Sequence, residues 1–395
     1  MTTSKRNTIL LLAVILISYF VVGFPDGAFT VSWLGIAAEM PGMNTIHTGI
    51  ILVGYSVTYT IAGVILAPLG RLFKLQTIYL IGLFILAFGF IGLALSPNFN
   101  WVLATITVYG FGTGLMASSM NSYMAKHFTA RHNNWMHCFW GAGATLSPII
   151  MGQMMAAHSW RAGYFYITAI LVVVAIILLI SMYKKIWIDD AQAKITEETK
   201  TVTKKRYLTK KWHQVVEILT FFFLGGTDYT LVFFTGAALI ARGQQSLDTV
   251  AIFAAVYYVC MTIGRIIFGW MAKYLKELSI LRIGCAIAFL GILVLFFTSN
   301  IAGMALAGLG LAPMLPTLVS DSSNRFTPKV LSRIVGMELA AFGFGIAVLF
   351  FLTSALMHHI SYEMLFFLAM AFVILVFVCN EILARAVMLN EKQQD

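Results

Sequence analysis

Long apolar runs, each closed by a short polar or basic interval, repeat along the whole chain. A bilayer-crossing α-helix needs about 20 such residues, and twelve runs qualify. They lie near 8–34, 48–69, 75–96, 101–125, 134–157, 162–183, 213–239, 248–270, 278–298, 300–320, 330–356 and 362–388. The runs lack the two-residue alternation and the ~10-residue length of outer-membrane strands. The expected fold class is therefore an all-α membrane protein of twelve transmembrane helices. The boundary between 278–298 and 300–320 is the narrowest, resting on Ser299-Asn300 alone.

The pattern also divides the chain. Residues 184–212, rich in Lys, Thr and Glu, form the only long polar stretch and separate six spans from six. We expect an N-terminal six-helix bundle at 1–183, a cytoplasmic central loop at 184–212 and a C-terminal six-helix bundle at 213–395. A stretch of this composition reads as a solvated tether with some surface helix. The halves echo each other. Gly23-Phe24-Pro25-Asp26 in span 1 is answered by Gly225-Gly226-Thr227-Asp228 in span 7, and Gly141 to Ala144 in span 5 by Ala340 to Gly345 in span 11. Such offsets of about 200 residues are what parallel half-repeats produce.

Composition agrees: 60% of residues are hydrophobic and 11% charged, against about 45–50% and 25% in soluble domains. A soluble enzyme, a disordered chain and a fibrous protein are excluded. The net charge of +10 changes meaning once its positions are considered. If the N-terminus is cytoplasmic, all but two of the 26 basic residues fall on the inner side, the exceptions being Arg161 and Arg242. The positive-inside rule then predicts a multi-pass protein of the cytoplasmic membrane with both termini inside. The charge serves topology and contact with anionic lipids; no nucleic-acid partner is needed. Lys5 and Arg6 precede the first run as in a signal peptide, but the run continues towards Trp33 without a convincing cleavage site, so it reads as a retained span. The four cysteines have neither metal nor redox spacing and read as small hydrophobes.

An ionisable group inside a span costs roughly 2.5–3.5 kcal/mol on insertion scales, so each one needs a reason to be there. Asp26, Asp228 and Glu338 fall well inside spans. Asp26, flanked by Pro25 and the breakers Gly23 and Gly27, reads either as a cavity carboxylate for substrate hydroxyls or a proton, or as a helix-capping acid near the outer interface. Asp228, nearer the middle of its span, reads as a proton carrier or as half of an ion pair. No Lys or Arg is expected deep in a span, which disfavours the pair. Glu338 either serves the cavity or meets Arg333 or Arg325 at the inner edge.

Neutral groups would orient a solute. Ser118 and Asn121 share a face of span 4; Asn134 and His137 share one at the start of span 5, with Gln153 further along close to it. His137 reads equally as an interhelical hydrogen bonder. Trp140 and Tyr229 offer a stacking face with a polar atom, as does the Tyr55 and Tyr59 pair, for which ordinary packing is the simpler reading. No Gly-x4-Gly-Lys-Ser/Thr motif supports ATP-driven transport. No nucleophile–base pair or metal cluster supports enzymatic chemistry, so neither metal nor cofactor is expected.

Taken together, the chain resembles a major facilitator superfamily transporter. The loop after span 2 keeps Gly63, Gly70 and Arg71 of that superfamily's motif, with Ala67 and Pro68 where an acid and an arginine are usual. Gly264-Arg265-x3-Gly269 is its second-half echo, with Lys273 at the acidic position. The resemblance implies a gating role for Gly70, Arg71, Gly264 and Arg265, and the missing acids put its charge network in question. Asn134-x2-His137-x2-Trp140-Gly141-x-Gly143-Ala144-x3-Pro148 and Gly308-Leu-Gly310-Leu-Ala-Pro313-x2-Pro316 are similar to spans 5 and 10 of the fucose:proton-symporter-like branch. That branch has a span-4 glutamate, absent from Ala117 to Tyr123 here. The implied function is a secondary active transporter, acting as a monomer and moving a small polar solute, most readily a sugar, by proton-coupled alternating access. Asp228, Asp26 and Glu338 are then the proton sites, and Asp26, Asn121, Asn134, His137, Trp140, Gln153 and Tyr229 the solute contacts. An exporter of drugs or lipophilic metabolites, a lipid flippase and a non-transporting sensor are the alternatives on the same scaffold.

Overall fold

A computed structural model of the chain describes residues 3–128, 130–188, 208, 210–243, 245 and 247–392. Among the described residues the regular structure is helical throughout. The first of two compact units, Met1–Glu198, contains α1 (Thr3–Val22), α2 (Phe24–Glu39), α3 (Thr45–Leu72), α4 (Leu75–Ala94), α5 (Phe99–His127), α6 (Ala130–Ala157) and α7 (Trp160–Tyr183). The second, Thr199–Asp395, contains α8 (Lys211–Ala241), α9 (Leu247–Met271), α10 (Glu277–Thr298), α11 (Ile301–Leu311), α12 (Met314–Arg325), α13 (Pro328–His359) and α14 (Met364–Lys392). Span 1 is α1 plus α2 and span 10 is α11 plus α12, so each unit holds six spans. Eleven stretches among the described residues are long and apolar enough to cross a membrane. The twelfth span is α6, which is as long but dilutes its apolar residues with Arg131, His132, Asn133, Asn134, His137 and Gln153.

The two breaks have local causes. At Gly23 the backbone hydrogen bond shortens, Gly23 N reaching the Phe20 carbonyl, and Pro25 has no N–H to offer the Val21 carbonyl. Span 7 repeats the glycines and the acid without the proline, keeps every N–H, and runs unbroken through Asp228. Span 10 breaks at Pro313. The narrow boundary before it is real: Ser299 adopts a left-handed conformation at φ 51°, and the Asn300 side chain caps α11 by accepting from Ala302 N at 2.9 Å.

The units repeat one packing scheme. Span 1 lies against span 5, and span 4 against spans 2 and 3, while span 3 meets span 6; the second unit pairs 7 with 11, 10 with 8 and 9, and 9 with 12. Gly23, Asp26 and Gly143 recur at one fixed offset as Gly225, Asp228 and Gly345. A Cβ on Gly143 would stand 1.8 Å from the Phe20 carbonyl, and one on Gly345 would stand 1.9 Å from the Phe222 carbonyl. The helices therefore cross backbone to backbone, as small residues permit.

Helix starts on the side that the charge pattern assigns to the exterior are capped by side chains: Asn44, Asn98, Ser159 and Asn300 each accept a backbone N–H of the first turn. On the opposite side Lys74, Lys210 and Lys276 occupy the cap position without a side-chain cap. A lysine there opposes the helix dipole, so these positions favour topology over local helix stability.

Arg161 and Arg242, the two basic residues that the charge pattern assigns to the outer side, hold equivalent places. In the first unit Glu39 at the end of α2 pairs with Arg161 and accepts from the Trp160 indole at 2.5 Å; Arg161 also donates to the Ser96 carbonyl at 2.9 Å. In the second unit Arg242 at the end of α8 pairs with Glu363 at 3.2 Å and donates to the Phe296 carbonyl at 2.8 Å. Each arginine joins the ends of the first, third and sixth spans of its unit, with acid and base exchanged between units.

The expected tether at 184–212 is described only at its ends, and 189–207 lie outside the described residues. Trp187 donates to the Ser181 hydroxyl at 2.8 Å and Ile188 N to the Tyr123 hydroxyl at 2.9 Å. Leu208 N donates to the Arg325 carbonyl at 2.7 Å.

Two outcomes follow for thermal unfolding in detergent. Gly143→Ala and Gly345→Ala each lower stability by about 1–3 kcal/mol through overpacking, whereas Gly269→Ala, with open space around its Cβ, does not. Since the second unit works with exchanged charges, the double variant Glu39→Arg/Arg161→Glu is more stable than the two single charge reversals predict, with a coupling of about 1 kcal/mol after solvent screening.

Candidate functional site

The residues read from the sequence collect around the two glycine crossings, one group in each unit. In the first, Asp26 is one turn beyond Gly23 and 7% exposed, because the α2 turn that carries it is pressed onto α6. Trp140 comes from α6 and donates its indole N–H to Asp26 Oδ2 at 3.2 Å. His137, one turn earlier on α6, meets the Tyr19 ring edge-on at 5.5 Å, and Asn121 on α5 donates to the Tyr19 hydroxyl and to the Ala117 carbonyl, both at 2.8 Å. Asp26, Asn121, His137 and Trp140 thus form one polar strip across α1, α2, α5 and α6, with Tyr19 as the unforeseen link.

Tyr55, Tyr59 and Tyr109 lie within electrostatic reach of Asp26. The Tyr55 ring packs 5.6 Å from that of Tyr109, so ordinary packing and closeness to the acid hold for it together. One of the expected solute contacts stands apart. Gln153 is exposed some thirteen residues past Trp140, roughly 20 Å along the helix. Asn134 is on α6, but its side chain lies outside the described residues.

In the second unit Asp228 is one turn beyond Gly225. It accepts the phenolic hydrogen of the buried Tyr257, which comes from α9, and Arg265 on α9 is within electrostatic reach of both. Tyr229 turns to Phe233 in a stacked pair at 6.0 Å. Tyr257 escaped the sequence reading although a signal was present: it stands at the same offset from Tyr55 as Asp228 does from Asp26.

The four motif residues of the expected gating loops lie inside helices. Gly70 and Arg71 occupy the last turn of α3. Gly264 packs a helix crossing against Leu309 and Ala312, and Arg265 stands six residues before the end of α9, roughly 9 Å inside it. Arg265 therefore lies inside span 8 and within electrostatic reach of Asp228, where no arginine is expected from the sequence, and Arg325 forms a buried ion pair elsewhere in the unit.

Arg325 is 3% exposed. It bonds Glu217 on α8 at 2.9 Å, Asp321 at 2.6 Å and Asn380 on α14. It follows the apolar run of span 10, which ends near 320, but α12 continues one turn further and folds it inward. Glu217 lies in the first turns of span 7, where an acid suggests the membrane edge until α12 and α14 are packed against it. Glu338 does not take Arg325, which is committed to the other two acids; the Arg333 side chain lies outside the described residues. Among the described residues no group of three or more His, Cys, Asp or Glu is arranged to hold a metal ion.

Comparison with known proteins agrees with this architecture. The glucose/mannose transporter GlcP of Bacillus subtilis (strain 168) is 21% identical over 319 residues, covering 76% of this chain and 77% of that protein. The multidrug efflux pump SdrM of Staphylococcus aureus (strain N315) is 24% identical over 209 residues, covering 52% of this chain and 43% of that protein. Among solved structures, a bacterial homologue of the human lysosomal transporter Spinster, inward-facing and occupied, superposes with a TM-score of 0.73 at 14% identity, covering 99% of this chain and 98% of that one. The transporter FucP in its outward conformation does so with a TM-score of 0.63 at 14% identity, covering 96% and 99%. The sequence matches the Major Facilitator Superfamily over residues 15–336 and again over 218–394, and the chain belongs to that family.

Proposed function

We infer that the protein is a secondary active transporter of the cytoplasmic membrane, with both termini inside, that carries a small polar solute of the sugar class by proton-coupled alternating access. The observation that carries the coupling is the Asp228–Tyr257 hydrogen bond. The tyrosine and the nearby Arg265 suit an anionic carboxylate, and a single proton arriving on Asp228 removes the charge that both serve. Loading and unloading one proton then changes the electrostatics of spans 7 and 8 without any other group moving far. A buried carboxylate inside a span has the cost that marks a functional position.

The solute side rests on the first unit. Asp26 offers a carboxylate oxygen to hydroxyl donors, Trp140 holds it in place while presenting an aromatic face, and Asn121 adds an amide. A carboxylate, an indole and an amide within two helical turns suit a polyhydroxylated ring, whose C–H face stacks while its hydroxyls bond. The sugar relative GlcP supports this class. The efflux relative SdrM supports a second reading, export of lipophilic compounds, over a smaller part of both proteins.

Proteoliposome uptake of labelled glucose and mannose under an imposed proton gradient tests the reading. Wild type accumulates the solute and alkalinises the external medium. Asp228→Asn loses gradient-driven accumulation by at least tenfold while retaining solute exchange, and Tyr257→Phe falls between them. Asp26→Asn and Trp140→Phe weaken solute binding. Equal accumulation by wild type and Asp228→Asn would refute the coupling role. Failure of every sugar, together with extrusion of lipophilic cations, would favour export.

A further inference from the structure

The second unit contains a polar cluster apart from Asp228, at the end where span 7 begins. Arg325 is its centre, bound to Glu217, Asp321 and Asn380. Its backbone carbonyl holds Leu208, where the chain enters span 7. The one hydroxyl hydrogen of Ser322 has two acceptors within reach, Glu217 Oε1 at 2.9 Å and the Leu318 carbonyl at 3.0 Å. Into this cluster α13 brings Glu338, 0% exposed, and neither carboxyl oxygen of Glu338 has a hydrogen-bond partner among the described residues.

Ser322 stands near enough to act on the Glu338 carboxyl as a hydrogen-bonding group, while Glu217 and Arg325 act on it through their charges. The elements packed against α13 offer little to an anion. From α8 comes Glu217, with His213 one turn before it. From α12 come Asp321 and Arg325, the guanidinium already facing two carboxylates and an amide. From α14 comes the neutral Asn380, since Glu381 is taken by Arg282 at 2.6 Å. Among the described residues, three acids therefore share Arg325 as their one guanidinium, with His213 the other titratable nitrogen nearby. A bare carboxylate with no donor in a low-dielectric interior is strongly disfavoured, whereas a carboxylic acid has what it needs. The single Ser322 hydrogen is already given away, leaving that oxygen able to accept a hydrogen but not to donate one.

We propose that Glu338 is a proton-binding site of this transporter, separate from Asp228, in which the carboxylic acid donates its O–H to the Ser322 oxygen. Release of the proton to water at that end of the unit leaves a third carboxylate competing for Arg325. The guanidinium ties α8, α12 and α14 together, so the proton on Glu338 controls how firmly spans 7, 10 and 12 are joined. Uncoupled transport would leave this site standing, because it does not use Asp228.

Infrared spectroscopy of the full-length protein in lipid tests the site. At neutral pH the wild type shows the carbonyl stretch of a buried carboxylic acid. Labelling glutamate with 13C at the side-chain carboxyl shifts that band, which no aspartate can cause. Glu338→Gln loses the band, and Asp228→Asn keeps it. Should Glu338→Gln fail to fold, Glu338→Asp in glutamate-labelled protein returns the band to its unlabelled position. A spectrum without the band at neutral pH, or a labelled band that survives Glu338→Gln, would overturn the proposal. Stabilisation by sodium with no carboxylic acid band would make the cluster a cation site and overturn it equally.

Discussion

The two acids Asp26 and Asp228 are placed by two backbone crossings, span 1 over span 5 at Gly143 and span 7 over span 11 at Gly345. Between helices in lipid there is little hydrophobic gain to be had from association, and close backbone approach supplies the attraction instead. Removing the side chain at the crossing brings the next turn of span 1 or span 7 hard against its neighbour. That turn carries Asp26 in one unit and Asp228 in the other. The acids are thus shielded by geometry that the glycines create; the partner of Asp26, Trp140, comes from the crossing helix itself, whereas that of Asp228, Tyr257, comes from span 8.

The two units have used the same frame for different chemistry. Asp26 faces an indole, an amide reached through Tyr19, and a group of tyrosines, all without a nearby arginine among the contacts described. Asp228 faces one tyrosine and the field of Arg265. The first arrangement suits recognition of a neutral polar solute and the second suits exchange of a proton, which matches the division of labour proposed here. The arginines at the opposite ends of the helices show the same freedom. The Glu39–Arg161 and Arg242–Glu363 pairs join equivalent helix ends with their charges exchanged, because what the frame requires at that place is a neutralised pair and not a particular sign.

Much of this was legible in the sequence for a physical reason: a bilayer penalises charge and unsatisfied backbone so heavily that helix number and spacing must be written in composition. The narrow boundary at Ser299-Asn300 was visible because a left-handed residue followed by a capping asparagine is local chemistry. The break in span 1 was visible because Pro25 acts on its own preceding turn. Tyr257 was legible in principle, through its offset from Tyr55, but an aromatic in an apolar run announces nothing until a carboxylate is placed beside it.

What the sequence could not decide was where the apolar runs stop being the helix. Arg325 lies just past the apolar part of span 10 and Glu217 in the first turns of span 7, and on composition both belong to the membrane edge. Their helices carry them inward, and only the packing of α8, α12, α13 and α14 against one another makes them neighbours of Glu338 and buries all three. The sequence by itself determined the twelve helices, the two halves and the few acids within them, since each of those follows from the local cost of putting a residue in lipid. Tertiary structure decided the partners of Asp26, Glu217 and Asp228, because those partnerships bring together residues of different helices, up to 114 positions apart.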